Sequence, residues 1–97
     1  MPKKIVLTSK AESDLEGIFE HYQSNIGGEK ASDLMRKVIE ALEMLEMYPS
    51  MGRQSQVPDV RELVLTKIPF LAPYRVVQEE IQVLRVIHQR AERTENW

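Results

Sequence analysis

The chain contains no cysteine, and its other shortages also exclude classes of structure or chemistry. Without thiols, neither disulfides nor thiolate zinc sites can form, which fits a protein of the reducing cytosol. The longest apolar stretch, residues 81–87, is broken by Gln82 and Arg85 and cannot span a bilayer. The apolar residues after Lys3 and Lys4 are too few for a signal-peptide core. We therefore expect a cytoplasmic protein.

The chain also lacks the basic excess of a general nucleic-acid binder. Its net charge is −2, to which residues 1–50 contribute −3 and residues 51–97 contribute +1. Any anion site must therefore be local. With 97 residues the chain is long enough for one hydrophobic core and too short for two, so we expect a single domain over residues 1–97.

Motifs that hold cofactors and metals are missing as well. There is no glycine-rich phosphate loop, no dinucleotide fingerprint and no His-Glu-x-x-His sequence. Two histidines without cysteine make a poor ligand set for a metal, and no serine lies in a nucleophile-elbow context. We expect neither cofactor nor metal. The remaining chemistry is metal-free handling of a phosphodiester, or none.

One short strand and two amphipathic helices are predicted for the first half of the chain. Residues 4–8 form the strand, and a helix begins at Ser9, which with Glu12 makes a capping-box pattern. Its apolar stripe consists of Ala11, Leu15, Ile18, Phe19 and Tyr22. The paired glycines at 27 and 28 end this helix, because glycine favours a turn.

The second helix is predicted over residues 29–47 and ends before Tyr48-Pro49, since proline cannot continue a helix. Its apolar positions recur at steps of three and four: Ala31, Leu34, Met35, Val38, Ile39, Leu42, Met44 and Leu45. A short glycine turn between two such helices indicates an antiparallel hairpin. The hairpin cannot be stable alone, so its apolar stripes must also cover a sheet.

Three β-branched runs in the second half predict that sheet. They cover residues 61–65, 73–77 and 81–90, with a polar loop at 50–60 and a tight turn at 78–80. The predicted fold class is therefore α+β. It has two layers, an N-terminal β-strand and then an α-helical hairpin packed on a small, mainly antiparallel sheet, in the order β-α-α-β-β-β.

An arginine lies in or beside each run, which predicts a charged cluster on the sheet, because a lone arginine is costly to bury. Arg75 and Arg90 could clamp a phosphate through paired hydrogen bonds, or form ion pairs with glutamates instead. Those glutamates are Glu62, Glu79, Glu80 and Glu92. Arg53 and Arg61 are solvated charges unless they converge with the others.

The last run also carries a histidine. Strand alternation places His88 and Arg90 on one face and Arg85 on the other, unless a bulge intervenes. His88 could be a general acid or base, or a structural histidine at a strand end. Tyr74 could stack on a base or donate a proton, or place its hydroxyl at the sheet edge. Trp97 is expected to fold back over the core.

Five segments, in this order and spacing, carry a family resemblance. They are Ala11 to Ile18, Glu46 to Arg53, Val60 to Leu63, Pro73 to Val76, and Ile81 to Arg90. The chain resembles toxins of the RelE/ParE superfamily from type II toxin–antitoxin modules, over nearly its whole length. The resemblance implies a helical hairpin against a small sheet, in agreement with the layer argument.

The resemblance further implies a growth-inhibiting toxin that a cognate antitoxin neutralises. ParE-like members bind and poison DNA gyrase, whereas RelE-like members cut mRNA on the ribosome without a metal. Arg61, Arg75 and Arg90 match places where RelE-like enzymes carry basic catalytic residues, and His88 could serve as their acid or base. These four are the catalytic candidates if the chain is a nuclease. Arg53, Arg61, Arg75 and Arg90 are then the candidate RNA phosphate contacts.

Departures from the RelE-like pattern favour gyrase as the target. The lysine pair that RelE-like enzymes carry in the second strand is missing, and Leu63 lies at one of its places. The catalytic tyrosine that many members carry near the C-terminus is also missing, and Trp97 ends the chain. An acidic chain also suits RNA poorly. The nuclease hypothesis requires the four catalytic candidates within reach of one phosphate, and the gyrase hypothesis allows them to be scattered. A third hypothesis is an inactive member that only binds an antitoxin.

Overall fold

Two helices and six strands make up residues 3–91, the part of the chain described by this computed structural model. The helices are α1 (Ser9–Ile26) and α2 (Gly28–Glu43), and a 3₁₀ turn over Met44–Glu46 extends α2. The strands are β1 (Lys4–Leu7), β2 (Arg53–Gln54), β3 (Arg61–Val64), β4 (Phe70–Val77), β5 (Glu80–Val83) and β6 (Ile87–His88). The predicted order, one strand, two helices and then only strands, is confirmed, but five strands follow the helices instead of the three predicted.

The strands form one mixed sheet in the order β1-β5-β4-β3-β2, with β6 also paired to β4. β1 runs parallel to β5, and every other pair is antiparallel. Apolar residues of both helices share one buried cluster with residues of β3, β4 and β5, so the helical hairpin covers one face of the sheet. The predicted two-layer α+β fold is therefore confirmed.

The core lies where the helical stripes meet that face. From the helices it takes Ala11, Leu15, Ile18, Val38 and Leu42, all buried. From the sheet it takes Leu63, Ala72, Tyr74, Ile81 and Val83. Two members of the predicted α2 stripe lie outside it, since Ile39 is 38% exposed and Met44 is 47% exposed.

Gly27 alone connects the two helices. Its φ of 90° is a left-handed value that glycine adopts without steric cost. Its amide donates to the Gln23 carbonyl at the end of α1, and its carbonyl accepts from the Ala31 amide in the first turn of α2. The prediction that the paired glycines end the first helix is confirmed, and the connection is a single residue.

Thr8, not Ser9, caps α1. The Thr8 hydroxyl accepts a hydrogen bond from the Ala11 amide (3.1 Å), while Ser9 is already helical. The prediction that Ser9 caps this helix in a capping box with Glu12 is therefore wrong, and the cap lies one residue earlier. The same Thr8 hydroxyl donates to the Leu84 carbonyl (2.7 Å), so this residue joins the start of α1 to the end of β5.

A β-bulge divides the last predicted strand into β5 and β6. Val83 lies opposite Tyr74 and Ile87 lies opposite Leu71, so residues 84–86 face only residues 72 and 73 of β4. The Pro73 carbonyl accepts a hydrogen bond from the Leu84 amide. The nitrogen and the carbonyl of one strand residue point to the same side, so the Pro73 nitrogen also faces the bulge. A proline has no N–H to lose there, which is why it fits inside β4 opposite a bulge.

Asp14 of α1 holds this bulge in place. Its carboxylate accepts from Arg85 Nε (2.7 Å), from Arg85 Nη2 (2.9 Å) and from the Val86 amide (3.0 Å). Since Thr8 donates to the Leu84 carbonyl, each of the three bulge residues is bonded either to α1 or to the residue that caps it. The ion pair also raises the pKa of Arg85, because Asp14 stabilises the charged guanidinium.

The other differences from the predicted strands are local. β4 begins at Phe70, three residues before the predicted start, and residues 53–54 of the predicted loop pair with β3 as β2. The turn between β4 and β5 has two residues, and Gln78 adopts a left-handed φ of 56° there. None of the helices within residues 3–91 is long and apolar enough to cross a membrane.

Asp14→Ala is expected to lower the free energy of unfolding by about 2 kcal/mol, because three donors lose their acceptor at a partly buried position. Urea denaturation followed by circular dichroism measures the change. Asp33→Ala is the matched control, since Asp33 forms an exposed pair with Arg36, and should cost less than about 0.5 kcal/mol. Equal losses in the two variants would contradict the role given to Asp14.

Candidate functional site

A groove of about 580 Å³ lies between the end of β4 and the segment that precedes β3. We call it the loop groove. Its lining residues are Gln54, Ser55, Val57, Pro58, Asp59, Val60, Arg61, Tyr74, Arg75, Val76 and Val77. It contains two of the arginines that the sequence marked as phosphate contacts.

The loop groove stays open because residues 55–60 bond to one another. The Ser55 amide and hydroxyl both donate to the Val60 carbonyl, at 3.1 and 2.8 Å, and the Val60 amide donates to the Val57 carbonyl. Asp59 adopts a left-handed φ of 65°, which turns the chain back just before β3. Pairing between β3 and β4 therefore ends at Arg61 opposite Tyr74.

Tyr74 fixes the turn that precedes β2. It is fully buried, and its hydroxyl donates to the Pro49 carbonyl (2.7 Å) and accepts from the Gly52 amide (2.9 Å). Arg61 Nη1 donates to the Gly52 carbonyl at 2.8 Å. Burial raises the pKa of the Tyr74 hydroxyl above its ordinary value of 10.0, although the Gly52 hydrogen bond and the Arg61 charge act to lower it. The tyrosine is thus a neutral anchor of this turn at physiological pH.

Arg61 and Arg75 both line the loop groove, on opposite faces of the sheet. Arg61 lies opposite Tyr74 and shares its face, whereas Arg75 is the next residue and points the other way. Arg75 is exposed and donates from Nε to the Gln82 side-chain oxygen at 3.1 Å. Within residues 3–91, no carboxylate lies within 4.0 Å of either guanidinium. The groove therefore offers two positive charges to a partner.

Two other arginines already have carboxylate partners. Arg53 pairs with Glu62 at 3.2 Å, across the two-residue strand β2, and Glu62 is buried. Glu62 was one of the glutamates expected to pair with Arg75 or Arg90. Arg85 is bound by Asp14 of α1. These ion pairs stabilise the fold and leave less charge available for a ligand.

His88 and Arg90 lie at the opposite end of β4 from Arg75. His88 pairs with Phe70, and the two rings are in edge contact with centroids 5.3 Å apart. The Arg90 amide donates to His88 Nδ1 at 3.1 Å. Phe70 and Arg75 are five positions apart along β4, a distance of roughly 17 Å. The structure thus brings Arg61 and Arg75 together and does not bring His88 and Arg90 to them.

Two features of this region were not predicted from the sequence. The Tyr74 hydroxyl bonds to Gly52 and Pro49, which lie 22 and 25 positions away in the chain. Only the glycine at position 52 indicated a close approach of the backbone there. Beside it lies a patch of large apolar side chains that are each about half exposed: Met44, Met47, Tyr48 and Met51. The expected packing of Trp97 lies outside the described residues, as does Glu92.

The comparisons with known proteins agree with this fold. The family described as ParE toxin of type II toxin–antitoxin system, parDE, matches residues 5–93. A Sinorhizobium fredii protein, Y4kP, described as a candidate toxin, is 30% identical over 86 residues, which are 89% of this chain and 88% of that protein.

Solved structures extend the likeness. A chain of the chromosomal ParDE toxin–antitoxin system from P. aeruginosa superposes with a TM-score of 0.82 at 40% identity, covering 89% of this chain and 95% of that one. A chain of the RelBE2 toxin–antitoxin complex of Mycobacterium tuberculosis shares the fold at a TM-score of 0.66 and 17% identity, and the match covers 91% of this chain and 99% of that one. The isolated RelE toxin of E. coli shares the fold at a TM-score of 0.52 and 20% identity, and the match covers 96% of this chain and 88% of that one.

The fold and these likenesses define the class: the chain is a toxin of the RelE/ParE superfamily, as its sequence segments indicated. Within that superfamily it belongs to the ParE toxin family of type II toxin–antitoxin systems.

Gly52→Ala and Gly17→Ala are expected to change stability in opposite directions. A Cβ at Gly52 would lie 2.6 Å from Tyr74 Cε1 and 3.0 Å from the Glu62 carbonyl oxygen, so the loss should be about 1–3 kcal/mol. A Cβ at Gly17 meets nothing within 4 Å on α1, so alanine should add about 0.5–1 kcal/mol. Urea midpoints measure both, and a neutral Gly52→Ala would contradict the close approach.

Tyr74→Phe is expected to cost about 1–2 kcal/mol near neutral pH, because the Gly52 amide loses its acceptor and Pro49 its donor. Above the ordinary pKa of 10.0, the unfolded wild-type chain releases this proton while the folded chain retains it. Wild-type stability therefore falls as the pH rises past that value, and the phenylalanine variant escapes this part of the loss. Denaturation at about pH 8 and about pH 10.5 should show the difference narrowing; a constant difference would contradict it.

Proposed function

We propose that this chain is the toxin of a type II toxin–antitoxin pair, that its cognate antitoxin neutralises it, and that it acts in the cytoplasm by inhibiting DNA gyrase. Membership of the ParE toxin family and the 40% identity to a chain of the P. aeruginosa ParDE system support this. The observation that carries the proposal is the dispersal of the four residues that a RelE-like nuclease would need.

Metal-free cleavage of RNA needs several groups around one phosphate. A base must activate the ribose hydroxyl, cations must stabilise the crowded phosphate, and an acid must protonate the leaving oxygen. Here His88 and Arg90 lie roughly 17 Å along β4 from Arg75. A toxin that acts by binding an enzyme needs no such convergence, so this arrangement favours gyrase as the target.

One observation favours the alternative, a RelE-like ribosome-dependent endoribonuclease. Arg61 and Arg75 share the loop groove, and neither has a carboxylate within 4.0 Å among the described residues. Each of these cations could bind an RNA phosphate. The groove contains no histidine among its lining residues, so the acid and base would have to come from elsewhere.

Induced expression followed by separate measurements of DNA supercoiling and translation tests the proposal. We expect an early loss of negative supercoiling with an SOS-type DNA damage response, while protein synthesis continues. With purified components, the chain should inhibit supercoiling by gyrase and leave ribosome-bound mRNA uncut. Protein synthesis that stops first, or mRNA cut in purified ribosomes, would contradict gyrase as the target.

Arg90→Ala separates the two hypotheses further. If the chain is a nuclease, loss of this cation should abolish growth arrest, because cleavage depends on charge at the phosphate. Under our proposal the arrest depends on gyrase binding and persists in this variant. Arg36→Ala is the matched control, since Arg36 is exposed on α2 and forms only a surface pair with Asp33.

A further inference from the structure

Three methionines and a tyrosine form an exposed apolar surface just after α2, which we call the methionine patch. It consists of Met44, Met47, Tyr48 and Met51, which are between 45% and 64% exposed. The Tyr48 amide donates to the Met44 carbonyl (3.0 Å), so residues 44, 47 and 48 lie on one face of a helical turn. The Met51 amide donates to the Tyr48 carbonyl (3.0 Å), which folds Met51 back beside them.

The fold holds this segment in one arrangement. Leu45, in the same 3₁₀ turn, is fully buried in the core. The Tyr74 hydroxyl binds the Pro49 carbonyl and the Gly52 amide, which lie on either side of Met51. The chain thus leaves four large apolar side chains in water on a backbone that is fixed before a partner arrives. Such preorganisation lowers the entropic cost of binding.

Negative charge borders the patch. Residues 38–52 contain three glutamates and no lysine, arginine or histidine. Two of them, Glu40 and Glu43, are exposed, and each precedes a methionine of the patch by four positions, which places them on the same side of the helix. Within the described part of the chain, neither has a basic group within 4.0 Å. Lys3 and Arg61 reach the border from other elements, but each side chain already donates to a backbone carbonyl.

A helix suits this surface better than an extended strand. The amides of all four patch residues are bonded within the chain, so the patch offers no N–H to a strand. A helix satisfies its own backbone and binds through side chains alone. The unbranched thioether of methionine also adapts its shape to an apolar helix face. A second copy of this chain fits poorly, because two acidic borders would then meet.

We propose that the methionine patch binds an amphipathic helix of the target enzyme. The apolar face of that helix covers the patch, and its flanking lysines or arginines pair with Glu40 and Glu43. Four large side chains that are about half exposed present roughly 400 Å², about half of what each partner contributes to a stable interface. The patch is therefore the apolar centre, and the glutamates belong to the polar rim. That the enzyme is DNA gyrase rests on the proposed function, whereas the chemistry of the helix rests on the patch alone.

Met47→Glu tests the apolar contact, because Met47 is the most exposed member of the patch and an apolar helix face cannot cover a carboxylate without cost. With purified gyrase, the concentration that halves the supercoiling rate should be at least about tenfold higher for this variant than for the wild type. Ile26→Glu is the matched control, since Ile26 is also exposed and lies beside the start of α2, roughly 24 Å from the patch. It should inhibit like the wild type.

Glu43→Lys tests the charged contact. Its inhibition of gyrase should be about threefold weaker or more and less sensitive to salt, because attraction to the basic flank of the helix becomes repulsion. Glu29→Lys makes the same change in net charge in the first turn of α2, roughly 21 Å from Glu43, and should act like the wild type. Thermal unfolding of all four variants confirms that each is folded.

Cross-linking identifies the partner segment. A photoreactive benzophenone side chain at position 47 should join the chain to one segment of gyrase, which mass spectrometry then locates. We expect apolar residues three and four positions apart in that segment, with lysine or arginine beside them. A segment without this pattern overturns the proposal.

Full inhibition of gyrase by both Met47→Glu and Glu43→Lys also overturns it and leaves the proposed function intact. So does a loss of antitoxin affinity in these variants, measured by titration calorimetry, while gyrase is still inhibited, because the patch would then belong to the antitoxin. A wild-type chain that neither inhibits gyrase nor cross-links to it contradicts both the patch assignment and the proposed function.

Discussion

The attachment of residues 84–86 to the first helix is the constraint on which the rest of the molecule depends. Thr8 and Asp14 bind all three residues through the Leu84 carbonyl, the Arg85 guanidinium and the Val86 amide. These bonds lock an extra residue into the β-ladder, end β5 and start β6 one residue out of register. They also join the first and last described parts of the chain, so helix and sheet are held together by polar contacts as well as by the core.

The positive charges of the sheet are separated along it. Arg85, at the bulge, is paired with Asp14 of α1. His88 and Arg90 remain beside Phe70, and Arg61 and Arg75 gather at the far end of β4. Charge that the sequence spreads over three strands is thus divided between ion pairs, one groove and one exposed strand end. This division favours a function based on binding over one based on concerted chemistry.

Periodicity and turn residues were sufficient to predict the two helices, the glycine connection and the small sheet, because these follow from neighbours in the sequence. The bulge depends on partners far along the chain, since Thr8 contacts Leu84. The strand β2 depends on the pairing of Arg53 with Glu62 across a loop that has no alternating pattern. The loop groove depends on Ser55 bonding to Val60, which no hydrophobic pattern signals. His88 and Arg90 lie apart from Arg61 and Arg75 because the antiparallel register places Gln82 opposite Arg75 and His88 opposite Phe70, at the two ends of β4.

The single residue between the helices has a further consequence for motion. The Gly27 amide is bonded to the end of one helix and the Gly27 carbonyl to the start of the next, so the connection contains no residue that is free of the helices. Unwinding the end of α1 must therefore disturb the start of α2 as well. The hairpin should open and close as one cooperative unit, and its tip is the natural place for that opening to begin, since the residues around Gly27 are exposed.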